Sequence, residues 1–197
     1  MEMPKGVKIL EIDSFEKVQF IWETLNNISG LFDDYHKDNF GLFLNKLRSS
    51  DTVWLEREDG NGLLYLTNVV PGLSATGHVI YWDKRLRGRE EFTMDCIRWM
   101  MGIIPLEKLN LFLPAYALAA RAFADRLGFK REGIIRRWSK SDGKLFDIFV
   151  FGMTKEEAYN GSILRAGGER VSCASPQSEP AVLSELTGGE RPSDGGA

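Results

Sequence analysis

The chain has 197 residues, 43% of them hydrophobic and 27% charged, with 25 Lys plus Arg against 28 Asp plus Glu. That length suits one domain with its own core, and a net charge of −3 speaks against a generic nucleic-acid binder. No apolar run is long enough to span a membrane, the start Met1-Glu2-Met3-Pro4-Lys5 lacks an apolar leader core, and the two Cys and two His share no metal-ligand spacing. These features point to a reduced, cytoplasmic protein with no metal, no nucleic-acid partner and no membrane partner.

Val7–Ile12 reads as a first strand. Ser14 caps the helix that follows, where Phe15, Val18, Ile21, Trp22 and Leu25 recur at helical spacing, with Gly30 as its stop. A second helix is predicted over Asp38–Arg48, its apolar face carrying Phe40, Phe43, Leu44 and Leu47. Thr52–Arg57 and Leu63–Val70 are strands around the turn Asp59-Gly60-Asn61-Gly62, and Ser74–Trp82 follows the turn Pro71-Gly72. The pattern then changes to helix (Arg89–Met101), strand (Lys108–Leu113), helix (Ala117–Leu127) and two strands (Phe129–Ser139, Leu145–Met153). A mixed sheet covered on both faces accommodates this order.

From Tyr159 onward the composition shifts: 16 of the last 39 residues are Gly, Ser or Pro. Such a stretch lacks the apolar surface to offset its ordering entropy. The expected division is therefore a folded domain over 1–158 and a disordered tail over 159–197, with Ala181–Leu186 as one short helical candidate. Removing the tail leaves 22 basic and 23 acidic residues. Charge in the folded part is thus local.

The clearest local excess is Lys84, Arg85, Arg87 and Arg89, in a one-glycine loop between a strand end and a helix start. Free backbone N–H groups at a helix N-terminus, flanked by Arg, form an anion site suited to a pyrophosphate. A solvated basic turn is the plainer alternative. A second stretch bears on that choice. Leu127-Gly128-Phe129-Lys130-Arg131-Glu132-Gly133-Ile134-Ile135-Arg136, then Asp142-Gly143-Lys144-Leu145-Phe146-Asp147 and Met153, resembles the C-terminal half of the GNAT acetyltransferases. The nearest branch is that of the ribosomal-protein N-terminal acetyltransferases. Trp82-Asp83 followed by Leu86-Arg87-Gly88-Arg89-Glu90 also looks similar to acetyltransferase-like proteins encoded by bacteriophages. In physical terms, Gly128 closes a helix with a left-handed cap and Phe129 plugs the core as the next strand begins.

The resemblance implies one α/β (α+β) domain: a twisted mixed sheet of about six or seven strands flanked by about four helices. A splay between the fourth and fifth strands is part of that fold. It also implies acetyl-CoA as co-substrate. The family's Arg/Gln-x-x-Gly-x-Gly/Ala loop then falls on Arg85 to Glu90, or on Arg87 to Phe92. Either register lacks a small residue, and the first places the Glu90 carboxylate beside a pyrophosphate. Pantetheine would run along the backbone of Ile80, Tyr81 and Trp82, with Leu113 and Pro114 opposite. Ala117, Ala120 and Ala124 would approach the thioester. Many members carry an Asn where this chain has Ala117, and a Tyr where it has Ala124.

Direct attack of an amine on the thioester needs a base and a group to receive the thiolate. His78, Tyr116 and Glu132 are the candidates, and Asp33-Asp34-Tyr35-His36 lies where the family builds its acceptor wall. The acceptor would be a protein N-terminus, a lysine or a small amine, for a bacteriophage protein one borne by the host or the virion, and the enzyme a monomer or homodimer. The alternative from another class is a degenerate GNAT fold that binds CoA or a protein without turnover, favoured by Ala117 and Ala124.

Overall fold

Strand periodicity and helix caps place nearly every predicted element. The computed structural model describes residues 2–83, 87–164 and 170–172. Lys84, Arg85, Leu86, Cys173 and the candidate helix Ala181–Leu186 lie outside the described residues. The elements are β1 (Val7–Ile9), α1 (Phe15–Asn26), α2 (Phe40–Arg48), β2 (Val53–Arg57), β3 (Gly62–Val70), β4 (Ser74–Tyr81) and α3 (Arg89–Ile103). They continue with β5 (Lys108–Pro114), α4 (Leu118–Leu127), β6 (Lys130–Ser141), β7 (Lys144–Thr154), α5 (Lys155–Asn160), β8 (Ser162–Leu164) and β9 (Arg170–Ser172). Among the described residues, no helix is long and apolar enough to cross a membrane.

Seven strands form one sheet in the order β1-β2-β3-β4-β5-β7-β6, and β8 pairs only with β9. Every neighbouring pair is antiparallel except β4 and β5. This is the expected single α/β domain, with one helix more than anticipated. The extra helix is α5, whose capping box is legible in Thr154 and Glu157: Thr154 Oγ1 accepts from Glu157 N and Glu157 Oε2 accepts from Thr154 N. It crosses the compositional boundary at 158, and Tyr159 donates a 2.8 Å hydrogen bond to the carbonyl of Arg98 on α3.

Alternation along the strands sorts side chains into two cores. Leu55, Leu64, Leu66, Ala75, Leu109 and Leu111 face α3, α4 and α5, meeting Met94, Ile97, Met100 and Leu127. Trp54, Leu63 and Ile80 face α1 and α2, meeting Val18, Ile21, Leu25 and Phe43. Each fully buried aliphatic side chain contributes about 1.5–3 kcal/mol relative to exposure, so both helical layers are held by burial. Ser14 caps α1 as expected, accepting from Lys17 N at 3.1 Å. The helix stops at Asn26, before Gly30, with Asn27 as its C-cap, and Asn26 exchanges hydrogen bonds with Asp38 across the α1–α2 loop.

That loop is also fastened to the far end of the sheet. Asp34 accepts from the backbone N–H of Asp142 at 2.8 Å and of Gly143 at 3.0 Å, at the tip of the β6–β7 hairpin. The Gly143 N–H is the main cause of an Asp34 carboxyl held below its ordinary range, with Asp142 N–H, Lys140 and Lys37 adding to it. Asp34 therefore joins two loops that close over one end of the molecule. In Asp34→Ala, amide hydrogen exchange at Asp142 and Gly143 should accelerate at pH 7 while α3 amides keep their protection. Unchanged exchange at the hairpin tip would show that this latch carries no restraint.

Candidate active site

The parallel pair β4 and β5 is bonded through only three residue pairs, Ser74↔Lys108, Ala75↔Leu109 and Thr76↔Asn110. Beyond Thr76 each strand stays with its outer neighbour: β4 remains paired to β3 as far as Tyr81, and β5 to β7 as far as Pro114. The strands part at Gly77, where a Cβ would lie only 3.2 Å from Leu109 and Leu111 side-chain carbons. A cavity of about 790 Å³ fills the gap. Its wall includes Trp54, Tyr65 and Ile80 from one core and Ile97, Met100 and Leu127 from the other, so it passes through the sheet.

The N-terminus of α3 stands beside the open end of β4, with Arg89 and Thr93 both against Tyr81. Gly88 is its N-cap in the left-handed region (φ 69°), which a side chain would strain. Arg87 and Gly88 are exposed, whereas Arg89 is half-buried, its Cζ 6.0 Å from the Tyr81 ring centre and 5.8 Å from that of Phe123. Arg89 Nε is buried with no hydrogen-bond partner among the described residues. Glu90 is turned inward, 4% exposed, and accepts from Arg126 Nε on α4 at 3.0 Å. The carboxylate expected to oppose a pyrophosphate is thus paired and buried, an arrangement its charge requires.

The backbone of Ile80 and Tyr81 lies on the open edge of β4 and Trp82 follows it, while the side chains of Tyr81 and Trp82 are held elsewhere. Tyr81 Oη hydrogen-bonds Thr93 Oγ1 on α3 at 2.8 Å, and burial pushes its hydroxyl up to about 12. Trp82 leaves the strand and donates from Nε1 to the carbonyl of Gly60 in the β2–β3 turn. Neither side chain lines the chamber, which leaves Ile80, Leu113 and Pro114 as the lining residues of that track. Ala117, Ala120 and Ala124 line it from the α4 side, although Ala117 is the cap rather than the first helical residue. Gly128 takes the expected left-handed cap (φ 91°) and Phe129 is buried.

His78 and Tyr116 reach the chamber from opposite sides of the gap. His78, on β4, is the end of a cross-strand stack: Trp54 lies 3.9 Å from Tyr65, and Tyr65 lies 4.4 Å from His78, with planes 12° and 7° apart. Its Nε2 is 3.0 Å from Thr67 Oγ1. Desolvation, with Lys46 and His36 adding like charge, lowers its pKa to about 4, so the imidazole is neutral at physiological pH. Tyr116, in the loop after β5, packs edge-on to Phe146 at 4.9 Å and against Gly30 of the α1–α2 loop.

Glu132 does not belong to this site. It sits exposed at a β6 bulge, paired with Lys108 at 2.7 Å and absent from the chamber wall. Asp33 and His36 do line the wall, joined to each other at 2.6 Å, whereas Asp34 is the hairpin latch. Burial pushes the Cys96 thiol up to about 12, which makes it unfit as a nucleophile. Among the described residues there is no cluster of three or more His, Cys, Asp or Glu able to hold a metal ion.

No family model and no curated protein matches this chain. Solved structures do. A crystal structure of spermidine N-acetyltransferase from Vibrio cholerae in complex with CoA and spermine gives a TM-score of 0.60 at 15% identity, covering 80% of this chain and 100% of that one. A single-site mutant of that enzyme gives 0.62 at 16% identity, covering 78% and 95%. A dodecameric form in an intermediate state gives 0.60 at 16% identity, again covering 78% and 95%. This chain shares the fold of these solved acetyltransferases. At these identities the likeness concerns architecture.

Sequence reasoning missed the Trp54–Tyr65–His78 stack, the Glu90–Arg126 pair and the exposed Trp138 and Phe112 of the chamber wall. The stack had one available signal. A hairpin register set by Asp59-Gly60-Asn61-Gly62 places Trp54 opposite Tyr65, and the next strand places His78 there. The other two depend on contacts between distant segments.

The lowered His78 pKa makes stability depend on pH with a definite sign. Between pH 6.5 and about 4 the unfolded chain binds a proton that the folded one refuses, so stability falls as pH falls through this window. Urea unfolding at pH 4.8 should show about 2 kcal/mol less stability than at pH 7.5 from this group. His78→Phe, which can keep the stack on Tyr65, should lose that component, and an equal pH loss in both proteins would contradict the assignment.

Proposed function

We propose that the protein is an acetyl-CoA-dependent N-acetyltransferase that modifies an amine by direct attack. The observation that carries this reading is the β4 edge left open from Gly77 to Tyr81 beside a chamber that crosses the sheet. An open edge accepts an extended amide-bearing chain as it would accept another strand. Arg89 Nε, buried without a partner, and the first-turn N–H groups of α3 suit a pyrophosphate at the gap's mouth, with exposed Arg87 adding charge. Lining residues Ile80, Leu113 and Pro114 flank the path, and Ala117, Ala120 and Ala124 leave room for the thioester end. The V. cholerae enzyme, solved in complex with CoA and spermine, supports CoA as the cofactor class and an amine as the acceptor class. The Leu127-Gly128-Phe129 cap followed by Glu132-Gly133 supports a place near the ribosomal-protein N-terminal acetyltransferases.

Acetyl-CoA would supply an acyl group on a thiolate leaving group: the amine nitrogen bonds to the carbonyl carbon and the C–S bond breaks. The proton that nitrogen loses is balanced by the one the departing thiolate takes up as it leaves as the CoA thiol. The apolar chamber favours the neutral amine, since desolvation disfavours an ammonium. Neutral His78, with Nε2–H directed to Thr67 Oγ1, presents Nδ1 as acceptor for an amine N–H and so orients the nitrogen lone pair. Tyr116, across the gap, donates to the departing thiolate in place of the hydroxyl that Ala124 lacks. Binding without turnover is the second reading. It is favoured by an α4 face whose chamber-lining residues (Ala117, Ala120, Phe123, Ala124, Leu127) carry no hydrogen-bonding side chain.

Calorimetric titration should show acetyl-CoA and CoA binding, and Arg89→Met should weaken both by at least about tenfold, the scale of a lost charge-assisted bond. The urea midpoint should stay unchanged. No heat at about 1 mM cofactor, the upper end of the usual KM range, would refute the proposal. Tyr116→Phe should lower kcat by about 100-fold, the lower end of the usual range for acid–base catalysis, and leave acetyl-CoA affinity intact. Binding of acetyl-CoA with no thiol release for any amine would favour the second reading.

A further inference from the structure

Resting on the acyl-transfer reading above, the acceptor half of the chamber restricts the kind of amine that can be modified. Its wall on the α1–α2 side is aromatic. Trp22 and Phe32 stack there at 5.6 Å, and by strand alternation Phe112 and Ile148 project from the side of the sheet opposite the α3 core. Trp138 is 72% exposed and Phe112 44% exposed, although both line the chamber. Large rings kept in water beside an otherwise packed sheet mark a surface that gains free energy when an apolar group covers it. Trp138 holds its place through backbone geometry. It follows Arg137, whose left-handed φ of 54° sits in the β6 bulge and whose N–H donates to Asp147 Oδ1 at 2.9 Å.

Charge points the same way. Asp33 is the one carboxylate in the chamber wall among the described residues. Its Oδ1 already receives Tyr35 N at 3.1 Å, His36 N at 2.9 Å and His36 Nδ1 at 2.6 Å. Lys46 shares that wall. A polyamine carries several ammonium groups that each need an anionic partner, and here the distal ones would meet a single carboxylate, already hydrogen-bonded through Oδ1, beside a lysine. A single amine enters neutral for attack and leaves no second charge to satisfy.

We infer that the acceptor is a monoamine on an aromatic body, its ring held by Trp138 and Phe112 near the Trp22–Phe32 pair. Two sources share that chemistry: a small arylalkylamine, and a peptide whose N-terminal residue is aromatic. The V. cholerae enzyme was solved with spermine, so the inference separates this chain from that neighbour by acceptor while keeping the fold and the cofactor.

The test is a thiol-release assay with acetyl-CoA, run with phenethylamine, a Phe-initiated tripeptide amide and spermidine, alongside calorimetry with acetyl-CoA alone. The expected kcat/KM for phenethylamine or for the peptide exceeds that for spermidine by at least about tenfold, in line with one lost aromatic contact plus an unpaired charge. The larger of the two aromatic values identifies the source. Trp138→Ala should lower the aromatic-amine kcat/KM by about tenfold and Trp138→Phe should restore most of it, both with unchanged acetyl-CoA affinity. Because the Trp138 side chain is exposed, neither substitution should disturb folding. Spermidine turned over as well as or better than both aromatic amines, or turnover indifferent to Trp138→Ala, would overturn the inference and leave the acetyltransferase reading standing. Acetyl-CoA binding with no transfer to either aromatic amine would overturn it too. Failure of acetyl-CoA to bind would instead remove the reading on which it rests.

Discussion

The parallel pairing of β4 with β5 ends after three residue pairs, and everything functional about this protein depends on where it ends. Each strand is committed beyond that point to an antiparallel partner, β3 on one side and β7 on the other. The sheet is therefore two antiparallel halves joined at a short seam. Parallel strands need a crossover connection, and α3 supplies it. Because the crossover begins at the C-terminal end of β4, the N-terminus of α3 must lie at the open end of the gap. An anion-attracting helix end and an unpaired strand edge thus come together through topology, with no added motif.

The seam also gives the two faces of the sheet different tasks. On the α3–α4 side the gap meets Arg89, small alanines and the helix end, features that suit a long phosphorylated chain. On the α1–α2 side it meets aromatic rings, a neutral imidazole and one committed carboxylate, features that suit a compact apolar amine. His78 and Tyr116 stand on either side of the passage between them. The chamber is a route from one chemical environment to another.

Several charged residues that invite a catalytic or ligand role are fasteners instead. Glu90 neutralises itself against Arg126 beneath the start of α3, Glu132 meets Lys108 at the surface, and Asp34 ties the α1–α2 loop to the β6–β7 tip. A carboxylate at a helix start reads in sequence as facing whatever the helix end faces. Its actual direction depends on whether a guanidinium waits beneath it, and Arg126 lies 36 positions further along the chain.

Local chemistry along the chain determined the elements, the meander, the left-handed cap at Gly128 and the basic loop before α3, because caps, turns and alternation act over a few residues. The resemblance to the GNAT acetyltransferases, rather than local chemistry, implied Ile80, Leu113, Pro114, Ala117, Ala120 and Ala124, and all six line the chamber. Local reasoning cannot decide how far β4 and β5 run together, since that depends on Gly77 against Leu109 and Leu111 and on the rival pull of β3 and β7. Nor does it show that the Tyr81 and Trp82 side chains bond to Thr93 and Gly60, or that Trp138, ordinary in a strand pattern, stands exposed at the chamber wall. Those outcomes belong to tertiary structure, because each is a competition between partners distant in sequence that only the assembled sheet brings within reach.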